Sequence, residues 1–312
     1  MKTLQELKNF SFESATADLW VVKKRVEQRQ ARYTARWVEI SGDSNSSFNL
    51  ESQLVGVVKD MISMQKDEIE YDYVCNPDEY CLLKLRAEDT NMPLIIDKMK
   101  VPGNECRVSD ESELMNAAGY VIKIQSGDNV LYAFKKTSSS WKASKVKSSR
   151  WAFFNGECMI GISQDGVFQI HKDIDFVFYE DTVFIADKRS FESAMNYKDS
   201  MIERRDIAVM DLEESGAFKC LESLKNFIGE DMRYLRSISS ILDKGFYKQT
   251  AFIERLKAKN EERNWGIQID DEGKIILTED KMSDLFKLLN DFRLYSELSH
   301  NIYDVPSTQS VV

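Results

Sequence analysis

Apolar positions change their spacing along this chain, and each change marks an element. Residues 19–26 (LWVVKKRV) and 32–40 (RYTARWVEI) are β-prone runs around a polar turn, which predicts a hairpin. From Leu50 the spacing becomes helical, with Leu54, Val57, Val58, Met61 and Ile62 on one face. Residues 69–75 read as a returning strand, and MPLIIDKM (92–99) as a short helix begun near Pro93. AGYVIKIQ and NVLYAFKK form a second hairpin across Ser126, Gly127 and Asp128, where the glycine suits the turn.

Beyond Arg150 the pattern is more strongly β, with apolar runs broken at Asn155-Gly156, Asp165-Gly166 and Glu180-Asp181, and it predicts an antiparallel meander. In residues 175–197 (DFVFYEDTVFIADKRSFESAMNY) both apolar runs are consecutive rather than alternating. That predicts a hairpin covered on both faces and central in its sheet, followed by a helix capped by Ser190. The acids Glu180, Asp181 and Asp187 fall at turns, where such residues serve the backbone. From Ser190 the chain reads helical almost without relief until a short hairpin, WGIQIDDEGKIIL, and a last helix. That helix is capped by Thr278 and carries Met282, Leu285, Phe286, Leu289, Phe292 and Tyr295 at helical spacing.

The elements add up to an α+β protein without an internal repeat. An N-terminal mixed sheet and helix unit spans 1–137, a basic Lys/Ser-rich connection spans 138–149, and a β-meander packed by C-terminal helices spans 150–312. With 43% apolar residues in a 312-residue chain, a large core is available. No apolar run is long enough to cross a bilayer, position 2 is not glycine and the C-terminus (QSVV) has no prenylation cysteine. The expected location is therefore the cytoplasm, with any tether to the inner membrane supplied by another protein.

Candidate chemistry is sparse. The five cysteines, Cys75, Cys81, Cys106, Cys158 and Cys220, are odd in number and form no CxxC, so no metal site is expected. His171 and His300 are the only imidazoles, and no GxSxG, HExxH, phosphate-loop or GxGxxG pattern occurs. The reading assigns no catalytic residue and no cofactor. A rival reading is a metal-dependent nuclease using carboxylates from Asp173, Asp175, Asp181 or Asp187, with Lys188 stabilising charge. A third is an adaptor that binds protein alone.

The hairpin-to-helix step FVFYEDTVFIADKRSFESAMNY, with Phe191 just past the cap, and the C-terminal LLNDFRLYSELSHNIYDV resemble the KwaB family of Kiwa anti-phage defence systems. The resemblance runs from about Trp151 to Val305. It implies a cytoplasmic partner of a small multi-spanning membrane protein, KwaA, that engages DNA and blocks phage propagation.

Charge constrains where DNA could bind. The chain carries a net −10, so attraction to a polyanion requires a segregated basic patch. Residues 129–156 contain no acid and hold Lys135, Lys136, Lys142, Lys145, Lys147 and Arg150, with interleaved serines such as Ser138 and Ser144 and with Trp141 and Trp151. Lysine and arginine neutralise phosphates while hydroxyls bond their oxygens, so the expected contact is with double-stranded DNA without sequence specificity. A second cluster, Lys23, Lys24, Arg25, Arg29, Arg32 and Arg36, is opposed only by Glu27, although on strands its charges are expected to divide between two faces. The leading expectation is a non-enzymatic, homo-oligomeric, DNA-binding defence subunit. Residues 246–256, with apolar ridges, are the expected docking or self-association surface.

Overall fold

The computed structural model describes residues 1–40, 49–99, 103, 105–137, 152–154, 159–161 and 168–305. The fold is α+β. The chain forms two compact units: Met1–Glu70 with Pro77–Asn196, and Tyr71–Asn76 with Tyr197–Val312.

The first unit is built on an eight-stranded sheet. Its strands are β1 (Thr16–Glu27), β2 (Gln30–Val38), β3 (Asp67–Glu70), β4 (Cys81–Arg86), β5 (Gly119–Ser126), β6 (Asn129–Lys136), β9 (Phe176–Tyr179) and β10 (Thr182–Ile185). Among the described residues, β7 (Ala152–Phe154) and β8 (Met159–Gly161) pair only with each other, so there the predicted meander is not one continuous sheet. The order is β2-β1-β5-β6-β9-β10-β4-β3, antiparallel except for the β3–β4 edge pair. The sheet runs straight through the expected boundary at 138–149: β6 and β9 are bonded neighbours, with Leu131 opposite Tyr179 and Phe134 opposite Phe176. Left unpaired, the ladder groups of such a buried strand would each cost free energy, and β9 supplies their partners. The β9–β10 hairpin is central and almost wholly buried, as its consecutive apolar runs predict.

The register assigns residues to faces. One face carries Leu19, Val21, Tyr120, Ile122, Leu131, Ala133, Val177 and Phe184, covered by α1 (Leu4–Lys8) and α2 (Leu50–Met64) through Leu7, Leu54, Val58, Met61 and Ile62. The other carries Trp20, Val22, Val121, Phe134, Phe176 and Ile185, with α3 (Met92–Ile96) and α4 (Lys188–Ala194) in the same unit. Phe191 of α4 stands edge-on to Phe176 at 5.2 Å, and Phe176 stacks on Phe134 at 4.6 Å. This stack explains Gly119: a Cβ there would lie 2.4 Å from the Phe134 ring and 2.6 Å from the Lys135 carbonyl oxygen. The cap of α4 is Asp187, whose carboxylate accepts from the Ser190 N–H. Ser190, the expected cap, lies inside the first turn because helical geometry begins at Lys188.

The second unit contains α5 (Tyr197–Glu214), α6 (Leu221–Ile228), α7 (Met232–Lys244), α8 (Thr250–Arg263) and α9 (Glu279–Leu289). Leu212, Leu224, Ile238, Ile241, Leu285 and Leu289 fill its core. Two short strands, β11 (Phe218–Lys219) and β12 (Ile275–Ile276), pair in parallel. The inserted Tyr71–Asn76 belongs here: Arg204 lies 4.9 Å from the Tyr73 ring, and Tyr71 meets Tyr197 edge-on. α9 buries Met282, Leu285, Phe286 and Leu289 as its spacing predicts, but it ends before Phe292 and Tyr295. The Asn290 amide turns back to Ser237 and to the Phe286 carbonyl, and Asp291 adopts a left-handed conformation. The chain then reverses into the hairpin of β13 (Arg293–Tyr295) and β14 (Ile302–Asp304).

Candidate nucleic-acid interface

Pairing of Glu27 with Gln30 leaves Gln28 and Arg29 as the two-residue turn of the β1–β2 ribbon, both at positive φ. Such turns match strand twist and fix the register. Arg25 lies opposite Arg32, Lys23 opposite Thr34 and Val21 opposite Arg36. Directly opposed residues share a face, so Lys23, Arg25, Arg32 and Arg36 stand together. The expected division between faces applies to Lys24 alone, whose ammonium donates to the Ser193 carbonyl. Arg25 and Arg32 are 82% and 73% exposed and both reach Glu27; Arg36 reaches Glu113. Bonds from Ser109, then the charges of Arg36 and Lys23, hold the Glu113 carboxyl below its ordinary value. Lys23 and Arg29 make no ion pair with any described residue. The result is a ribbon with six cations, four of them on one face, and one carboxylate, Glu27, shared by Arg25 and Arg32 near its tip.

The end of β6 is organised differently. The Lys135 side chain is 11% exposed and its ammonium donates to Asp173 and, at 2.8 Å, to Asp175, itself only 2% exposed. Asp175 also accepts the Lys136 N–H at 2.6 Å, and its backbone carbonyl accepts from Ala186 and Asp187. Burial would lower the Lys135 ammonium, but the bonds from both carboxylates outweigh it and hold the group protonated above its ordinary value. Burial lifts Asp175 above its ordinary value against the pull of Lys135. Nearby, Tyr120 accepts the His171 N–H, and burial pushes its phenol up to about 12. The Lys135 charge is thus held inside the fold, and Lys136, half-buried, is the described cation of this segment with its side chain nearer solvent.

Residues 114–299 match a protein family described as Kiwa protein KwaB-like, over more than half of the chain. The chain belongs to this KwaB-like family. The family makes it a Kiwa anti-phage defence protein. Neither a curated protein nor a solved structure matches the chain. The KwaB-like span contains β5, β6, β9, β10 and α4 with most of the helical unit, so the Lys135–Asp175 pair lies inside it and the β1–β2 ribbon lies outside it.

Lys142, Lys145, Lys147 and Arg150 lie outside the described residues. Of the carboxylates of the nuclease reading, Asp173 and Asp175 hold Lys135 and Asp187, whose charge reaches Asp175, caps α4, whereas Asp181 pairs with the N-terminal ammonium and bonds Thr182. The Lys188 side chain is buried. Among the described residues no group of three or more His, Cys, Asp or Glu side chains is placed to hold a metal ion. His300 shares a hydrogen bond with the Tyr295 hydroxyl at 2.6 Å. Sequence reasoning missed the common face of the ribbon. Its signal was present as the two-residue spacing of Lys23 and Arg25 and the even spacing of Arg32 and Arg36, once the turn is placed at Gln28-Arg29.

Proposed function

We propose that this Kiwa protein is a cytoplasmic DNA-binding subunit that grips the phosphates of double-stranded DNA without reading its sequence. The observation that carries this is the single basic face of the β1–β2 ribbon, with Arg25 and Arg32 opposite each other and both largely exposed. Arginine and lysine on one face of a narrow ribbon can each replace a condensed counterion, while a chain of net charge −10 confines contact to such a patch. Lys142, Lys145, Lys147 and Arg150 add phosphate contacts in this reading, and Lys136 flanks them. The subunit assembles as a homo-oligomer and reaches the inner membrane through a small multi-spanning protein of the KwaA type. No helix among the described residues is long and apolar enough to cross a membrane.

The test is a mobility-shift titration across salt concentrations. Changing Arg25 and Arg32 to Glu together is expected to weaken duplex binding uniformly across sequences and to lower the slope of log K against log salt by about 2, at roughly 0.9 for each phosphate no longer neutralised. A parallel variant with Lys142, Lys145 and Lys147 changed to Glu separates the two basic segments. Unchanged affinity and slope in both variants would overturn the DNA reading. Co-expression with the adjacent membrane protein is expected to move the chain into a salt-resistant membrane pellet, and a fully soluble chain would remove the tether.

A further inference from the structure

The expected docking segment at 246–256 does not form one apolar ridge. Tyr247, Ile253 and Leu256 are buried in the second unit, whereas Phe246 and Phe252 stack on each other at 5.5 Å beside a cleft of about 370 Å³. This volume falls in the range of small-molecule sites. Its wall includes one face of α8, on which Phe252, Arg255, Leu256 and Lys259 recur at helical spacing. Trp265, Leu288 and Asp291 complete the side chains relevant to a ligand.

Two exposed side chains here, Arg255 and Asp291, and one buried indole N–H make no side-chain pair with a described residue. The Arg255 Nε donates to the Ala251 carbonyl, but its guanidinium makes no ion pair with any described residue. The Trp265 indole N–H is buried with no acceptor among the described residues. The Asp291 carboxylate likewise makes no hydrogen bond or ion pair with a described residue, although its main chain is held by the Leu288 carbonyl. By contrast, the other arginine of the wall, Arg293, is tied to Asp284 and Asp304, each at 2.7 Å. A buried donor without an acceptor is costly unless a ligand or water satisfies it. The cleft therefore combines aromatic faces with an exposed guanidinium and an exposed carboxylate, neither of them in an ion pair with a described residue.

We propose that this cleft binds a nucleotide whose base carries an exocyclic amine, the base meeting the Phe246, Phe252 and Trp265 rings and the phosphate meeting Arg255, beside Lys259, whose ammonium is held by Glu262. Aromatic side chains stack on any base, a guanidinium matches a phosphate in a fork, and a carboxylate accepts from an exocyclic amine. The same chemistry could come from a free nucleotide or from an unpaired nucleotide of a DNA strand. The site belongs to the second unit and does not depend on the ribbon of the first.

Calorimetry with the full chain tests it, using AMP, GMP, CMP, UMP, the matching nucleosides and inorganic phosphate as probes. Saturable one-to-one binding is expected, with UMP and the nucleosides weaker than GMP. Arg255→Glu should reduce affinity by at least about tenfold, the loss of a charge-assisted contact. Asp291→Asn, tolerated at a left-handed position, should erase the preference over UMP without loss of fold. A single-stranded oligonucleotide, tested in the background of Arg25→Glu with Arg32→Glu, identifies the source. Tighter binding of the strand than of GMP, abolished by Arg255→Glu, assigns a DNA strand, and the reverse order assigns a free nucleotide. Absence of binding by all nucleotides and by the strand, undiminished binding in Arg255→Glu, or equal competition by inorganic phosphate would each overturn the proposal. Duplex binding through the ribbon should persist in Arg255→Glu, so failure here leaves the DNA reading standing.

Discussion

Lys135 and Arg36 occupy one row of one sheet face, linked across β1 and β5 by Val21 and Tyr120, yet they meet opposite surroundings. Lys135 is enclosed between two carboxylates supplied by the segment entering β9, whereas Arg36 is 49% exposed near the end of the edge ribbon. The difference lies in what covers the row. At β6 the returning chain closes over the strand end, so its cation must be neutralised inside; at β1–β2 Arg36 stays half-exposed, and Arg25 and Arg32 further along the ribbon are largely exposed. A charge of the first kind stabilises the fold, and a charge of the second kind can meet a partner at little cost to it.

The most severe way to test this contrast is to remove Asp175. Asp175→Ala leaves Lys135 enclosed with half of its neutralisation gone and the Lys136 N–H without its acceptor, and should cost about 3 kcal/mol in denaturant unfolding. Replacing Lys135 by Met and Asp175 by Leu together should recover most of that loss, because two well-packed apolar groups avoid the desolvation of both charges. If the single and double variants unfold alike, the pair is not what holds this corner.

A smaller effect is expected next door at Gly119, opposite Lys136 in the β5–β6 register. Gly119→Val drives a side chain into the stacked Phe134 and should destabilise by about 2 kcal/mol, with loss of near-ultraviolet aromatic dichroism. Wild-type stability would show that the Phe134–Phe176 stack gives way freely.

The β13–β14 hairpin offers an intermediate case. Bonds from Arg293, then from Lys287, hold the Asp304 carboxyl down at about 2, below its ordinary 3.8. The folded value is depressed, so its contribution is fully present above about pH 4 and is lost as the pH falls toward 2. Asp304→Asn should therefore flatten the acid limb of a stability profile while leaving the neutral region shifted by no more than about 1 kcal/mol, since the Asp304 carboxylate is 39% exposed and screened by solvent. An unchanged acid limb would sever the link between this hairpin and acid stability.

Least of all should the fold notice the ribbon. Arg25→Glu with Arg32→Glu is expected to shift stability by no more than about 0.5 kcal/mol per substitution, although the same pair is expected to change duplex binding most. A loss comparable to that of Asp175→Ala would place the ribbon cations with Lys135 as structural groups and dissolve the contrast.

Local pattern made much of this molecule legible. The α2 face, the hairpin at Gly127, the buried β9–β10 hairpin and the core stripe of α9 all follow from apolar spacing, since each is decided by neighbours within a few residues. The family, too, was readable in the hairpin-to-helix step and the C-terminal segment. What failed depended on competition between local options: Asp187 rather than Ser190 caps α4, and a left-handed Asp291 ends α9 before its apolar period runs out.

Only the tertiary structure decided that β9 pairs with β6, because strand partners 40 or more residues apart are chosen by which edge is open and which faces need cover, and neither is written in local spacing. The same choice carries Asp173 and Asp175 to Lys135 and turns a cation of an apparently basic segment into an internal one. For the ribbon, the alternation of charges was present in the chain, but their gathering on one face waited on a turn of two residues, since a shift of one would have sent half of them to the other side. Sequence alone determined the kinds of element, the supply of charge and the family; the long-range register determined which of those charges reach water.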